Sequence, residues 1–294
     1  MATTIQKYIP SCFLILAIIA LAGCAATDQP PYVRKGPPPP PVSAQAPLTV
    51  MTFNIRLGLG QGNPRQDILR MRSQWGRNLG NVIEAIRSKD PDIVGLQEVA
   101  NPGQLRQIAQ ALDMNHFFVW HETGTTLKPY WGVGLLSKYP IKSSLRAALS
   151  DDRNFIVATI KVRDRLISVA NIHRSHHQFG EESLPILLGE MRQIRLPTLL
   201  LGDFNVSPNA RMLRNRNMRK LQPILNDFQD TAVSAGTESA KQARVVGTGQ
   251  NGRRIDYVFV EKSHFDVLDA GLVASRHRKA SKHIAYFTEL KFSK

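Results

Sequence analysis

Six polar side chains end or interrupt short apolar runs of this sequence, and together they could bind a cation and transfer protons. They are Asn54, Glu98, His173, Asp203, Asn205 and Asp256. The apolar runs have the length and composition of buried strands. Open α/β sheets commonly place ligands at the carboxyl ends of such strands. We therefore predict that several strands deliver carboxylates, amides and imidazole to one edge of the fold.

The residue types at this edge suit two kinds of chemistry. A hard divalent cation such as magnesium is typically held by one or two carboxylates with water and substrate phosphate, and Glu98 offers one carboxylate. Imidazole changes charge near neutral pH, so His173 could transfer a proton or stabilise an anion. Asp203 and Asn205 are separated by one residue, so their side chains face the same way if the backbone stays extended.

Each of these residues also has a purely structural interpretation. A carboxylate such as Glu98 at a strand end can simply be solvated, and Asn54 can form a turn with its own backbone. Asp203 precedes Ser207-Pro208 and could cap a turn or a helix. A lone histidine such as His173 is more often structural than catalytic. The residues taken singly leave both interpretations open.

The elements that must position these residues alternate between strands and helices. Apolar spacing predicts helices over 75–88, 104–112 and 181–193, and Ser207-Pro208 begins a turn or short helix. Strands are predicted over 50–54, 92–97, 117–120, 132–137, 154–161, 166–172, 198–201, 255–260, 267–273 and 284–292, with a hairpin turn at 163–165. This order favours an α/β or α+β fold with mixed sheets.

Seven segments, in order along the chain, resemble motifs of the endonuclease/exonuclease/phosphatase superfamily, which has the fold of pancreatic-type deoxyribonuclease. The segments are TFNIR (52–56), LQEV (96–99), GVGLLSKYPI (132–141), NIHR (171–174), GDFN (202–205), RIDYVFV (254–260) and SKH (281–283). The resemblance implies a four-layer sandwich of two packed mixed β-sheets flanked by helices, with the site at one edge. It also implies hydrolysis of phosphoester bonds.

The resemblance implies roles for the residues around the expected metal ion and water. Glu98 would be the principal ligand of Mg²⁺, with Mn²⁺ as the alternative ion. Asn54 would add an amide to the metal shell or orient Glu98 through a hydrogen bond. Asp203 would orient or deprotonate the attacking water, and Asn205 would help to hold the phosphate.

The two matched histidines would flank this phosphate. Asp256 would fix the ring of His283 and favour its charged form, while His173 would contact the phosphate from the other side. Glu122 could partner His173. Two further histidines outside the matched segments are His176 and His177. We interpret these two as loop residues, with metal binding as the alternative.

Lys282 departs from the family pattern, which usually has aspartate immediately before the final histidine. An ammonium group there could weaken metal binding or attract a substrate phosphate. Ile172 and Arg174 also depart, because threonine and leucine are common at those positions. We favour the interpretation that Lys282 serves a different substrate over the interpretation that it marks a loss of activity, because the other matched polar residues are retained.

The formal charge of +15 makes a polyanionic partner or an anionic membrane surface plausible without choosing between them. The basic stretches 211–220 and 276–282 could follow a phosphate backbone, although such runs are commonly solvated. Arg153, Arg278 and Lys282 are the candidate substrate contacts. We expect a metal-dependent nuclease acting on DNA. The alternatives are a phosphatase, a phospholipid or sphingomyelin phosphodiesterase, and a non-catalytic binding module.

The N-terminal part of the sequence predicts export and lipid attachment. Residues 1–23 have the charge and the short apolar run of a signal peptide. The sequence Leu21-Ala22-Gly23-Cys24 resembles a bacterial lipobox, which implies cleavage before Cys24 and lipidation of that cysteine. An ordinary secretory signal is the alternative.

A proline-rich spacer follows over 24–47, and the folded domain is expected over 48–294. Both cysteines, Cys12 and Cys24, precede that domain, so it has no disulfide framework. We expect a monomer anchored to the cell envelope through Cys24. The outer membrane is slightly favoured, because Ala25 stands where aspartate would indicate retention at the inner membrane.

Overall fold

The computed structural model describes residues 46–61, 75–121, 131–149, 153–175, 183–207, 214–249 and 251–293. The predicted signal peptide, Cys24 and most of the proline-rich spacer lie outside these ranges. The first strand begins at Leu48. Within the described ranges, no helix is both long and apolar enough to cross a membrane.

Two mixed six-stranded sheets form the centre of the fold. The first contains β1 (Leu48–Asn54), β2 (Ile93–Val99), β3 (Asn115–Trp120), β4 (Gly132–Ser137), β11 (Phe265–Leu272) and β12 (Tyr286–Phe292). Its strand order is β11-β12-β1-β2-β4-β3. The parallel pair is β1 with β2, and the other neighbours run antiparallel.

The second sheet repeats this arrangement with a different set of strands. It contains β5 (Ile141–Ala148), β6 (Asn154–Val162), β7 (Arg165–His173), β8 (Thr198–Asp203), β9 (Phe228–Asp230) and β10 (Asp256–Glu261). The order is β5-β6-β7-β8-β10-β9. Here β7 and β8 are parallel, and the remaining pairs are antiparallel.

In the described ranges, six α-helices accompany the sheets: α1 (Leu79–Arg87), α2 (Pro102–Leu112), α3 (Ser183–Arg192), α4 (Arg214–Asp227), α5 (Thr231–Ser234) and α6 (Glu238–Val246). The start of α2 shows how the sequence sets a boundary. Asn101 accepts a hydrogen bond from the backbone N–H of Gln104 at 2.9 Å, and Pro102 follows it directly. Both features favour helix initiation at this residue.

The central strands are buried on both faces, and their successive residues therefore enter different cores. Val50 and Leu199 belong to the cluster between the two sheets. Met51 belongs to the cluster that also contains residues of α1 and α2. Leu200 belongs to the cluster that also contains residues of α3 and α4. This alternation produces the four-layer sandwich, so the predicted fold class is confirmed.

Most predicted elements are present with shifted boundaries, and four were not predicted. The hairpin between β6 and β7 turns at Arg163 and Asp164 as expected. The unpredicted elements are β5, β9, α5 and α6. Strand β5 is only half buried along its length, so it lacks the continuous apolar run that identifies the central strands.

Candidate active site

The predicted residues converge where the parallel strand pairs of both sheets end. Asn54 ends β1, and its side-chain nitrogen donates to Glu98 Oε1 at 2.9 Å and to Asp203 Oδ2 at 3.1 Å. Asn54 Oδ1 accepts from the backbone N–H of Arg56 at 3.0 Å. Because the amide oxygen is engaged by a donor, the amide nitrogen must face the two carboxylates. Asn54 therefore connects the two sheets at this edge.

Glu98 reaches the site from an interrupted strand. The register between β2 and β4 shifts between Leu96 and Val99, and Glu98 has a φ of +50°. Such bulges redirect a side chain, and a positive φ costs a non-glycine residue conformational energy. Unlike the fully buried Asn54, Glu98 is partly exposed, so its carboxylate is accessible from solvent.

A glycine lets β7 and β8 approach closely beside the site. Gly202 has a φ of +144°, and a Cβ at this position would lie 2.1 Å from the carbonyl oxygen of Ile172. No side chain fits this space, so the glycine of the GDFN segment is required. The next pair in the parallel register is His173 with Asp203. The close approach thus places an imidazole beside a carboxylate.

Asp203 is buried among groups that resist its ionisation. Only 1% of the residue is exposed, and Asp256 is its partner in the register between β8 and β10. Burial, together with the neighbouring carboxylate of Asp256, raises the pKa of Asp203 to about 7, although His283 and the hydrogen bond from Asn54 act in the opposite direction. A carboxyl group that titrates there can exchange a proton near neutral pH.

The imidazole of His283 is held against Asp256. Its Nδ1 lies 2.9 Å from Asp256 Oδ2, and its Nε2 lies 3.9 Å from Asp203 Oδ2. Burial favours the neutral ring, but the carboxylates, Asp256 first among them, outweigh burial and raise the pKa of His283 to about 10. His283 is therefore a cation at neutral pH. Ser281 holds the backbone of His283 next to the end of β1, because its hydroxyl donates to the carbonyl of Asn54 and accepts from the backbone N–H of His283.

His173 lies on the other side of Asp203. Its Nε2 is 3.7 Å from Asp203 Oδ2, and its Nδ1 is 3.4 Å from Nη1 of Arg153. Since a guanidinium group only donates, this contact makes Nδ1 the acceptor and leaves the ring proton on Nε2. The Nε2–H group then points toward the carboxylate. Arg153 itself lies 5.5 Å over the ring of Trp131.

The backbone does not stay extended between Asp203 and Asn205, so the condition for their side chains to face the same way is not met. Asn205 has a φ of +52°, and its backbone N–H donates to Asp203 Oδ1 at 2.9 Å. Its side-chain nitrogen donates to the carbonyl of Arg174 at 2.7 Å. An amide nitrogen carries two hydrogens, so one remains available to a ligand. The chain turns here because asparagine tolerates the left-handed region and aspartate accepts from the backbone two residues later.

The donor set fits a hard divalent cation. Carboxylate oxygens of Asp203 and Asp256 and a ring nitrogen of His283 lie within 4.8 Å of one another. The carboxylates are the ligands of this group, because a charged imidazole has no lone pair for a metal ion. Within the described part of the chain, the buried Asp256 Oδ1 lacks a hydrogen-bond partner. Glu98 adds an accessible carboxylate oriented by Asn54, and such oxygen ligands suit magnesium or manganese. A cation beside these carboxylates would offset their mutual repulsion.

Several residues of the site were given no role by sequence reasoning. Arg56, in the TFNIR segment, interacts electrostatically with Glu98. The Thr248 hydroxyl accepts from the backbone N–H groups of Ile255 and Asp256 at 3.1 and 3.0 Å. His121 lies 5.8 Å from His173 between ring centroids. Arg56 could have been found from the sequence, because it belongs to a segment that matches the family. No local sequence pattern identifies Thr248 or His121.

The remaining candidate residues differ in whether the structure describes them. Arg278 and Lys282 are described and line a cleft. Glu122, the histidines at 176 and 177, and residues 208–213 lie outside the described residues. The side chains of residues 214–219 also lie outside them, so Lys220 is the one residue of the basic stretch 211–220 whose side chain is described.

The comparisons assign the family. A model of the endonuclease/exonuclease/phosphatase family matches residues 51–279. The chain belongs to this family, whose enzymes hydrolyse phosphoester bonds. No curated protein sequence matches significantly.

Solved structures share the fold at low sequence identity. An endonuclease/exonuclease/phosphatase from Beutenbergia cavernae is 21% identical, covering 85% of this chain and 72% of that chain, with a TM-score of 0.63. The human Nocturnin catalytic domain with bound sulfate anion is 18% identical, covering 84% and 94%, with a TM-score of 0.62. A mannosyl-6-phosphatase from Bacteroides thetaiotaomicron is 20% identical, covering 83% and 99%, with a TM-score of 0.60.

Proposed function

We propose that this domain is a divalent-metal-dependent phosphodiesterase that hydrolyses nucleic acid, with DNA as the substrate class. The observation that carries this proposal is the convergence of Asp203, Asp256 and His283 beside the accessible carboxylate of Glu98. These groups supply a base, a fixed cation and a metal ligand within one edge of the sandwich.

Asp203 is the proposed general base. A base works best when its pKa lies near the operating pH, and the pKa of Asp203 is raised to about 7 by burial and by Asp256. Asp203 accepts a proton as a water molecule attacks phosphorus in line with the leaving oxygen. The new P–O bond forms as the bond to the leaving alcohol breaks, and the alcohol oxygen then takes a proton.

His283 is the proposed electrostatic partner of the phosphate. Its pKa of about 10, set by Asp256 against the effect of burial, keeps the ring charged at neutral pH. A fixed cation that requires no reorganisation stabilises the negative charge that develops on the phosphoryl oxygens. The Nε2–H group of His173 and the remaining N–H of Asn205 are proposed to donate to the same oxygens.

Glu98 is the proposed ligand of Mg²⁺, and Mn²⁺ is the alternative ion. Asn54 fixes the carboxylate by donating to Oε1 at 2.9 Å. When bound, the divalent ion would neutralise charge at phosphorus and on the leaving oxygen.

The net charge supports an extended phosphate substrate, and two structural neighbours support a phosphate-sized anion as its reacting group. The full chain carries a net charge of +15, and nucleic acid affinity depends mainly on cations that neutralise phosphates. The sulfate bound by the human Nocturnin domain and the activity named for the mannosyl-6-phosphatase are both consistent with a phosphate-sized anion at this edge.

A substrate panel tests the proposal. The full-length chain, purified in detergent, is assayed on duplex DNA, single-stranded DNA, sphingomyelin and a sugar phosphate, with magnesium, manganese or chelator. We expect metal-dependent hydrolysis of DNA that is lost in Asp203→Asn. Preferential hydrolysis of sphingomyelin or the sugar phosphate would replace the substrate assignment. Inactivity on every substrate would favour a non-catalytic binding module.

We also propose that the protein is exported and anchored to the cell envelope, with the outer membrane as its location. The lipobox-like sequence ending at Cys24 and the proline-rich residues 24–47 support this proposal. A spacer of this composition would hold a monomeric domain away from the lipid surface.

A further inference from the structure

A basic cleft of about 510 Å³ lies beside the candidate active site. The cationic side chains of Arg278, Lys279 and Lys282 line it, and none of its described lining residues is acidic. Gly249 and Gly252 also line the cleft. A concave surface of one charge attracts and concentrates a ligand of the opposite charge.

The cleft is directly connected to the catalytic groups. Lys282 immediately precedes His283. Thr248, which precedes the lining residue Gly249, accepts from the backbone N–H of Asp256, and its carbonyl accepts from the backbone N–H of Ile284 at 2.7 Å. The segment that supports the Asp256–His283 pair therefore continues into the wall of the cleft.

The backbone that carries these cations is anchored by two amide side chains. Gln61 donates to the carbonyls of Arg278 and Ser281. Asn78 donates to the carbonyls of Lys279 and Ala280 at 2.7 and 2.8 Å. Because side-chain amides hold four consecutive carbonyls, the cationic segment is ordered before a ligand arrives, which reduces the entropic cost of binding.

Lys282 lies among like charges. Arg278 and Lys279 line the same cleft as Lys282, and the positive charge of Arg56 also acts on Lys282. An anion between these groups would relieve their repulsion. The aspartate usual in the family would place a negative charge at this position and would repel such an anion.

We propose that this cleft binds a second phosphate of the substrate, adjacent to the one that is hydrolysed. The inference rests on the proposed phosphodiesterase function and narrows it to substrates in which phosphates are closely spaced. Successive phosphates of a nucleic acid strand have this chemistry. A bisphosphorylated small molecule presents the same groups, and the experiment below separates these two sources.

The experiment compares the dinucleotide TpT with pTpT and TpTp, which add one terminal phosphate at either end. With the full-length chain and magnesium, one phosphorylated form should exceed TpT in kcat/KM by about tenfold, the effect of a charge-assisted contact. Lys282→Gln and Lys279→Gln should reduce that ratio toward one, and Lys282→Asp should reduce it further. Arg276→Gln is the matched control, because Arg276 is exposed on the same segment and does not line the cleft.

Binding without metal provides a second readout. With a chelator present, calorimetry should show that the preferred phosphorylated dinucleotide binds the protein more tightly than TpT does. Lys282→Gln should remove this difference in affinity. If glucose 1,6-bisphosphate binds at the cleft and the phosphorylated dinucleotides do not, the second phosphate belongs to a small molecule. Circular dichroism establishes that each variant is folded.

Two results would overturn the inference. One is equal kcat/KM and equal affinity for TpT, pTpT and TpTp, with no binding of the bisphosphate. The other is an identical response of positions 276, 279 and 282, as expected of a solvated basic face. Failure of every substrate to react would instead contradict the phosphodiesterase proposal, and the metal-free affinities would still decide whether the cleft binds phosphate.

Discussion

Asp203 and Asp256 lie opposite each other on antiparallel strands, with 1% of each residue exposed to solvent. Two buried carboxyl groups in this arrangement resist simultaneous ionisation. The cation at His283 is bonded to Asp256 at 2.9 Å. The cation lies farther from Asp203 and stabilises its charge less. The pKa of Asp203 therefore rises to about 7 through burial and the negative charge of Asp256. The pair thus provides one carboxyl group that holds the histidine and one that is suited to accept a proton.

The first prediction concerns the pH dependence of stability in Asp203→Asn. The pKa of Asp203 is about 7 in the folded protein, against an ordinary value of 3.8 for an aspartate side chain. Between these pH values the folded state binds a proton that the unfolded state has released, so the free energy of unfolding should fall as pH rises. The variant should show a flatter profile and greater stability at pH 8.

Urea unfolding in chelator at pH 4 to 8 would measure this effect. Asp164→Asn is the control, since Asp164 is an exposed residue of the β6–β7 turn. Asp203→Asn should also reduce turnover by about a hundredfold, the lower range of the effect of a general base. An Asp203→Asn profile parallel to that of the wild type would show that Asp203 does not titrate in this interval.

The second prediction is that Asp256→Asn removes the charge of His283 near neutral pH. Asp256 is the first of the groups that raise the pKa of His283 to about 10 against the effect of burial. The stability associated with this shift is complete below pH 6.5 and is lost as pH rises toward 10. The alkaline limb of kcat/KM should therefore move to lower pH in the variant.

Proton NMR of the imidazole Cε1–H group would report the titration directly. His264 is 44% exposed in its side chain and provides an internal reference in the same spectra. If His283 titrates at the same pH in Asp256→Asn and in the wild type, the carboxylate does not maintain the charge of the ring.

The strand pattern predicted most of the sandwich because the central strands are buried on both faces. The run Leu199, Leu200 and Leu201 identifies such a strand without information about its neighbours. The partly exposed β5 and the three-residue β9 are defined by their pairing partners, so local sequence could not identify them. Long, uniformly buried elements are encoded locally, whereas edge elements depend on tertiary contacts.

The convergence of these side chains at one edge was predictable from the sequence, but their geometry was less so. Local sequence shows that Asp203 stands at a strand end and that one residue separates it from Asn205. The positive φ of Asn205 and the bulge at Glu98 arise where strands terminate. The buried ion pair of Arg254 with Asp230, at 2.8 and 2.6 Å, joins residues that are distant in sequence. No periodic pattern reports such a contact.

The third prediction is that Glu98→Gln abolishes magnesium binding measurable by calorimetry, together with most turnover. Glu98 is the accessible carboxylate of the site, and a neutral amide lacks the charge that a hard cation requires. Asn54→Ala should weaken binding less, because it removes only the hydrogen bond that orients the carboxylate. Glu84→Gln, on the exposed face of α1, is the control. Unchanged magnesium affinity in Glu98→Gln would remove Glu98 from the metal site.

The fourth prediction is that Cys24→Ser shifts the protein from the membrane pellet to the soluble fraction. The lipid attached at Cys24 would be the only anchor required, and the proline-rich spacer separates it from the catalytic domain. Hydrolysis by the domain should be unaffected. Cys12→Ser, within the predicted signal peptide, is the matched control and should remain in the pellet. Continued membrane association of Cys24→Ser would contradict the lipobox interpretation.

The fifth prediction assigns Arg153 a positioning role. Its Nη1 lies 3.4 Å from His173 Nδ1, and this contact keeps the proton of His173 on Nε2, which lies 3.7 Å from Asp203. Arg153→Met removes the donor, so kcat should fall by roughly tenfold, the smaller effect seen when a partner that orients a histidine is lost. Arg153→Lys should recover part of the activity because it retains a donor.

A purely structural or substrate-binding role for Arg153 would give different results. Nitrogen-15 NMR of the His173 ring should show Nε2–H in the wild type and a mixture of tautomers in Arg153→Met. Lys161→Met, at an exposed position on the same strand β6, should alter neither the spectrum nor kcat. A rise in KM with kcat and the tautomer unchanged would show that Arg153 binds substrate, because the contact with His173 would then have no part in orienting the ring.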